Sequence, residues 1–146
     1  MVTFPFQSTR RSQIRGSLLD FRTDSPRSKL SILHVSSREV LRVVRDQILR
    51  VSGYDVTSCE THEEAREKAK ETRFDLVLID VDGEYQVKAA GELCTALKQT
   101  HPNQRVAFVC NWRVAILNEC PDEIVRSEFD PLSFVNGVAE VLKNGA

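Results

Sequence analysis

At 146 residues, 41% of them hydrophobic, the chain is long enough for one domain whose core needs no disulfide or metal staple. No run approaches the roughly 18 to 20 apolar residues of a membrane-spanning helix, which excludes that class and points to a soluble, cytoplasmic protein. The formal net charge is −1, yet residues 1–29 hold six bases against two acids, a net of +4 that leaves −5 for the remainder, so a basic leader precedes an acidic body.

Ser25-Pro26-Arg27-Ser28 gives way to an apolar stretch, which places the domain edge near Lys29: a basic leader over 1–28, expected to be disordered, and a folded domain over 29–146. The leader has no apolar core of secretory type. Other readings are a transit-like segment, an anionic-surface contact or a misassigned start. Phe4, Phe6, Ile14, Leu18, Leu19 and Phe21 are available to dock on the domain or a partner.

Leu30 to Val35 reads as a first strand, and Ser36 to Glu39 spells a capping box at a helix start. Val40, Leu41, Val44, Ile48 and Val51 recur at helical spacing up to Gly53, a C-terminal stop. Tyr54 to Cys59 is a second strand, and Thr61-His62-Glu63-Glu64 is a second capping box that opens a charged helix to about Thr72. Phe74 to Gly83 is the centre of the chain: an apolar run ending in Asp80, Asp82 and a glycine, the pattern of a strand buried on both faces. Asp80 then emerges at the strand's carboxyl end, where open α/β sheets place ligands, with Gly83 serving a tight exit turn. Val87, Ala90, Cys94 and Leu97 mark a third helix that stops before His101-Pro102. Arg105 to Cys110 is another inner strand. Asn111 to Pro121 has room for a turn or two of helix around Val114 to Leu117. Glu123 to Arg126 is a last strand, and Asp130-Pro131 caps a closing helix with the stripe Leu132, Val135, Val138, Ala139 and Leu142. Five strands alternating with helices predict a doubly wound, five-stranded parallel sheet with helices on both faces, an α/β three-layer sandwich.

Cys59, Cys94, Cys110 and Cys120 lack any C-x-x-C spacing and read as reduced core thiols. His34, His62 and His101 are not spaced as zinc ligands, and His34, on an inner strand, reads as a hydrogen-bonded structural histidine. Arg66, Lys68, Lys70 and Arg73 are balanced by glutamates and read as a solvated helix face.

Ser31-Ile-Leu-His-Val-Ser-Ser37, Gly53-Tyr-Asp-Val56, Glu63-Glu-Ala65, Phe74-Asp-Leu-Val-Leu-Ile-Asp80 and Phe129-Asp-Pro131 together resemble the receiver domain of two-component response regulators, over Lys29 to about Asn144. The resemblance implies a flavodoxin-like, CheY-like fold, here with a shortened fourth helix, and it makes Asp80 the candidate phosphoacceptor. It also implies losses. The family's acidic pair after strand one is matched by Ser36 and Ser37, and its lysine after strand five by Ser127, followed by Glu128 in place of proline. Its hydroxyl switch residue is matched by Cys110, a poorer hydrogen-bond donor, and its switch aromatic by Ile124. Phosphoryl transfer to a carboxylate needs Mg²⁺ on oxygen ligands and a balancing cation; of that set only Asp80 and the position of Asp82 remain, a weak metal site at best.

The resemblance thus implies a degenerate receiver, a non-enzymatic pseudo-receiver that signals by protein–protein contact and needs no cofactor. In that reading Asp80 is a remnant, or a carboxylate that caps the turn near Gly83. Trp112, the sole tryptophan, is the candidate partner contact, or it plugs the gap left by missing helix. The partner is another signalling protein or a second copy, met through the first and closing helices or the Trp112 corner. No membrane is expected, nucleic acid is expected only through the leader if at all, and no output domain is expected after Asn144. Two alternatives stand beside this one. The first is a residual phospho-accepting receiver that uses Asp80 and weakly bound Mg²⁺. The second follows from Asp80-Val81-Asp82-Gly83, which also resembles the D-x-D-G of haloacid-dehalogenase-type phosphatases, with Asp80 as nucleophile, Asp82 as acid/base, and Lys98 with Asp122-Glu123 as downstream partners.

Overall fold

The computed structural model describes residues 29–127 and 130–144; the leader expected over 1–28 and the Glu128 position lie outside them. Its elements are β1 (Ser31–Val35), α1 (Glu39–Val51), β2 (Asp55–Cys59), α2 (His62–Glu71), β3 (Leu76–Asp80), a 3₁₀ turn (Glu84–Gln86), α3 (Val87–Thr100), β4 (Val106–Cys110), β5 (Glu123–Arg126) and α4 (Pro131–Asn144). The strands lie in the order β2-β1-β3-β4-β5 and every pairing is parallel. This is the doubly wound sheet that the alternation predicts. Among the described residues no helix is long and apolar enough to cross a membrane.

Strand alternation sorts the core into two layers. Leu33, Val35, Val77, Ile79 and Phe108 face α2 and α3, where Ala65, Ala69, Leu93 and Leu97 meet them. Ile32, Leu76, Leu78, Ala107 and Val109 face α1 and α4, where Leu49, Phe134, Val138 and Val141 meet them. All five residues of β3 and of β4 are buried, as strands covered by helices on both faces must be.

Local signals hold in part. Gly53 ends α1 at φ 102°, its N–H donating to the Arg50 carbonyl at 3.0 Å, the left-handed geometry that favours glycine. Thr61 caps α2 through the Glu64 amide at 3.1 Å, while the Glu64 carboxylate accepts from Glu60 N–H at 3.0 Å. Asp130 caps α4 through the Leu132 amide at 3.1 Å. The Ser36 box does not form. Ser36 continues the sheet, its N–H donating to the Cys59 carbonyl at 3.0 Å, and α1 starts at Glu39 with Arg38 as an N-cap that makes no side-chain cap bond. Gly83 is extended (φ −159°), so left-handed freedom is not what it supplies; a Cβ there would lie 2.8 Å from the Tyr85 ring.

Two helices present different faces from those expected. In α1 the buried residues are Arg45, Asp46 and Leu49, while Val40, Val43, Val44 and Val51 are exposed. In α4 they are Phe134, Val138 and Val141, while Leu132 is exposed and Val138 alone of the predicted stripe is fully covered. The segment between β4 and β5 goes further than shortening and contains no helix. Asn111 and Asn118 instead fold back on the amides of Arg113 (2.8 Å) and Cys120 (2.9 Å), local bonds that compete with helix. Val114 seals the gap below, and Arg126 anchors the segment by donating to the carbonyls of Asn111 (2.8 Å) and Val114 (2.6 Å).

The thiol expectation holds for Cys59 and Cys110, which are free and buried, and fails for Cys94 and Cys120, which form a disulfide tying this segment to α3. Its two residues are 26 apart in sequence, so no spacing motif announces it. The pairing removes the argument from reduced thiols for a cytosolic setting.

Candidate functional site

Even-numbered residues of β1 and β3 face α1, and this parity puts His34 and Asp80 on one side of the sheet against the middle of that helix. Buried polar groups require partners, and α1 supplies them. His34 Nδ1 lies 2.7 Å from Asp46 Oδ1, His34 Nε2 lies 3.0 Å from Asp80 Oδ1, and Arg45 Nη1 lies 3.1 Å from the same Asp80 oxygen. All four residues are buried. The Arg45 guanidinium also lies over the Phe134 ring at 5.3 Å, which fixes it between α1 and α4.

Charge settles the protonation states. Burial disfavours an imidazolium at His34, but the Asp80 charge and the hydrogen bonds to Asp46 and Asp80 outweigh it and raise the pKa from 6.5 to about 9. Burial likewise opposes ionisation of Asp80 and of Asp46. The His34 charge and hydrogen bond, with Arg45, nonetheless hold Asp80 below the ordinary carboxylate range, and His34 does the same for Asp46. The result is an alternating row of charges: Asp46 negative, His34 positive, Asp80 negative, Arg45 positive. Asp80 therefore caps no turn near Gly83 through its carboxylate; its partners are a histidine and an arginine. Asp80 Oδ2 and Ser36 Oγ are buried without a hydrogen-bond partner among the described residues.

The sequence-derived site residues gather at the carboxyl end of the sheet. Ser36 is buried and Ser37 exposed just after β1. Asp82 lies 3.9 Å from Arg38, its carboxyl pushed up by burial more than Arg38 lowers it. Cys110 ends β4 with its thiol pushed up by burial, and its Sγ accepts from Arg126 at 3.4 Å. Ser127 follows β5, buried, its N–H donating to the Cys110 carbonyl at 2.9 Å. Ile124 sits in β5 and packs toward the α3 layer. Trp112 does not plug the gap: it is 70% exposed, with the Arg126 guanidinium 5.8 Å from its ring. The downstream residues of the phosphatase reading are not here. Lys98 pairs with Asp122 at 2.8 Å, and Asp122 bonds the amide of Val106, the first residue of β4, at the opposite end of the sheet.

Sequence reasoning missed Arg45, Asp46, Arg38 and Arg113. The signal available was parity: a histidine and an aspartate on one face of two inner strands demand charged partners from whatever helix covers them. A cleft of about 320 Å³ opens above Asp80, lined by Arg38, Arg45 and Arg113 with Asp82, Asn111 and Ser127. Among the described residues no group of three or more His, Cys, Asp or Glu side chains is placed to hold a metal ion.

No family model matches the chain, and no curated protein matches it in sequence. Solved structures do match in fold. A CheY-like response regulator receiver domain protein from Methanospirillum hungatei superposes with TM-score 0.67 at 21% identity, over 81% of this chain and 97% of that one. The chemotaxis response regulator CheY4 of Vibrio cholerae gives 0.67 at 18% identity, over 78% and 99%. The response regulator TrrA of Thermotoga maritima, solved in complex with Mg²⁺ and BeF, gives 0.63 at 21% identity, over 77% and 98%. The chain has the CheY-like receiver fold.

Proposed function

We propose that this chain is a receiver-fold protein of two-component signalling that works by contact with other signalling proteins, or with a second copy, and not by Mg²⁺-dependent phosphorylation. The observation that carries this reading is the engagement of Asp80: its Oδ1 accepts from both His34 and Arg45 in a buried site. Mg²⁺ needs hard oxygen ligands in near-octahedral array. The donors here are an aspartate held by two cations, a second aspartate beside Arg38, and the two serines Ser36 and Ser37. That set does not suit the ion, and the three arginines of the cleft repel it. Without the ion, no metal bridges an incoming phosphoryl group to the Asp80 carboxylate, whose Oδ1 is already engaged by His34 and Arg45.

The contact surfaces that support the reading are apolar and open. Trp112 stands at the corner after β4, Val40, Val43 and Val44 face outward on α1, and Leu132 does so on α4. The fold neighbours include the receiver domain of the hybrid histidine kinase CckA. A non-enzymatic role and the absence of a cofactor belong to the same proposal.

Intact-mass measurement after incubation with acetyl phosphate and Mg²⁺ tests it. The expected result is no adduct. A phosphoryl mass gain that disappears in Asp80→Ala would establish the phosphoacceptor reading in its place. Pull-down with the full chain and with Trp112→Ala then tests the contact surface.

A further inference from the structure

The cleft above Asp80 has the wrong charge for a cation and the right one for an oxyanion. Among the described residues, Arg38, Arg45 and Arg113 line it against one acid, Asp82. The acid beneath it, Asp80, is already matched by Arg45 and His34. The described lining thus carries an excess of positive charge on a chain whose net charge is −1. We infer that this cleft binds a small organic phosphate monoester, its phosphate held by the arginines and its organic body lying over Val81 and Val109.

Guanidinium forks match phosphate oxygens in pairs. Arg45 is fixed in advance by Asp80 and by the Phe134 ring, so little ordering is needed when an anion arrives; Arg38 and Arg113 stand at the rim. The volume argues for more than a bare ion. About 320 Å³ is roughly ten times the 30 Å³ share of one water and reaches the lower bound, about 300 Å³, of small-molecule sites. Val81 and Val109 give the cleft an apolar wall, while Asn111 and Ser127 add neutral hydrogen-bonding groups. The position is also where parallel α/β sheets place ligands. Binding here is non-covalent and needs no Mg²⁺, so it stands whether or not Asp80 accepts a phosphoryl group.

The test uses the full chain at constant ionic strength. Titration is followed by calorimetry and by the fluorescence of Trp112, which sits between Asn111 and Arg113. The probes are glucose 6-phosphate, adenosine monophosphate, inorganic phosphate and glucose. The expected result is saturable one-to-one binding of at least one monoester, inorganic phosphate at least fivefold weaker, and no binding of glucose. The Arg38→Ala/Arg113→Ala double variant, altered only at rim side chains, should weaken the monoester at least tenfold, with its fold checked by circular dichroism. Should that variant fail to fold, Arg113→Ala alone is expected to weaken binding at least threefold. No saturable binding of either monoester, equal binding of glucose, equal binding of inorganic phosphate, or affinity unmoved by the arginine changes would each overturn the assignment.

Discussion

His34 Nε2 lies 3.0 Å from the Asp80 carboxylate, which joins the middle of β1 to the end of β3 on the face covered by α1. The same ring reaches Asp46 with its other nitrogen. A buried imidazole between two carboxylates keeps its proton, and Asp80, at the position where the resemblance expects a phosphoacceptor, becomes an inner member of a structural ion row, between His34 and Arg45. The counter-charge that the Ser127 position lacks enters through Arg45 of α1, which lines the same cleft as Ser127.

Stability should therefore fall on the alkaline side. His34 has a folded pKa of about 9 against 6.5 for the free group. Its contribution is fully present below pH 6.5 and is lost as pH rises through 9, amounting to roughly 3 kcal/mol. Asp46 and Asp80, held below the ordinary range, add stability that is present above about pH 4 and lost on acidification. The Cys59 thiol, pushed up to about 11, acts only beyond pH 9. Urea midpoints should form a plateau between these limits and decline from pH 6.5 to 9, and His34→Gln should flatten that decline. Histidine carbon-bound proton shifts give a second check: His34 should titrate near 9, and His62, lowered by burial and by Arg66, below 6.5. An alkaline limb of equal size in His34→Gln would show that another group is responsible.

Arg45→Met should destabilise the fold by about 3–5 kcal/mol, because it leaves the buried Asp80 charge with one partner fewer and removes the contact with Phe134. A control at an exposed residue of the same helix, Gln47→Met, should cost under about 1 kcal/mol. Equilibrium urea denaturation measures both. Equal small losses would mean that Arg45 points to solvent.

The fold was legible because β3 and β4 are continuous apolar runs and because Gly53, the Thr61 box and the Asp130-Pro131 pair punctuate the helices as their chemistry requires. The site was less so. The valines of α1 repeat at helical spacing and suggest a buried stripe, yet the face turned inward is Arg45-Asp46-Leu49, because His34 and Asp80 need charged partners more than the sheet needs another valine. The helical stripe of α4 was similarly displaced, with Phe134 taking the buried place given to Leu132. Val114 to Leu117 has helix-compatible residues, but Asn111 and Asn118 bond their own neighbours' amides, and Arg126 and the disulfide hold the chain extended. These are long-range facts that local propensity does not carry.

Reduction should expose the contribution of the Cys94–Cys120 bond. Its sequence separation of 26 corresponds to about 3 kcal/mol of unfolded-state entropy. For a domain of this size that lowers the melting temperature by roughly 10 °C. Cys120→Ser should melt at the reduced protein's temperature and be insensitive to dithiothreitol. A wild-type melting curve that dithiothreitol leaves unmoved would show that the two thiols are unpaired in solution.

Asp80→Asn separates a structural aspartate from a phosphorylation site by the sign of its effect. Where an acceptor aspartate is crowded by other acids to hold a metal ion, neutralising it relieves like-charge repulsion and stabilises the fold. Here its neighbours within hydrogen-bond reach are His34 and Arg45, both cationic. The amide keeps the shape of the side chain but leaves a buried guanidinium without its anion, at a loss of about 3 kcal/mol. The Asp80 charge is also the largest influence raising the His34 pKa, so the His34 titration should move down from about 9 in the variant. Combined with Arg45→Met, the loss should be clearly less than the sum of the two single losses, since the pair is one interaction. Urea denaturation of the two single variants and the double variant gives the losses and their coupling, and proton titration gives the His34 shift; an Asp80→Asn protein more stable than wild type would overturn the ion row.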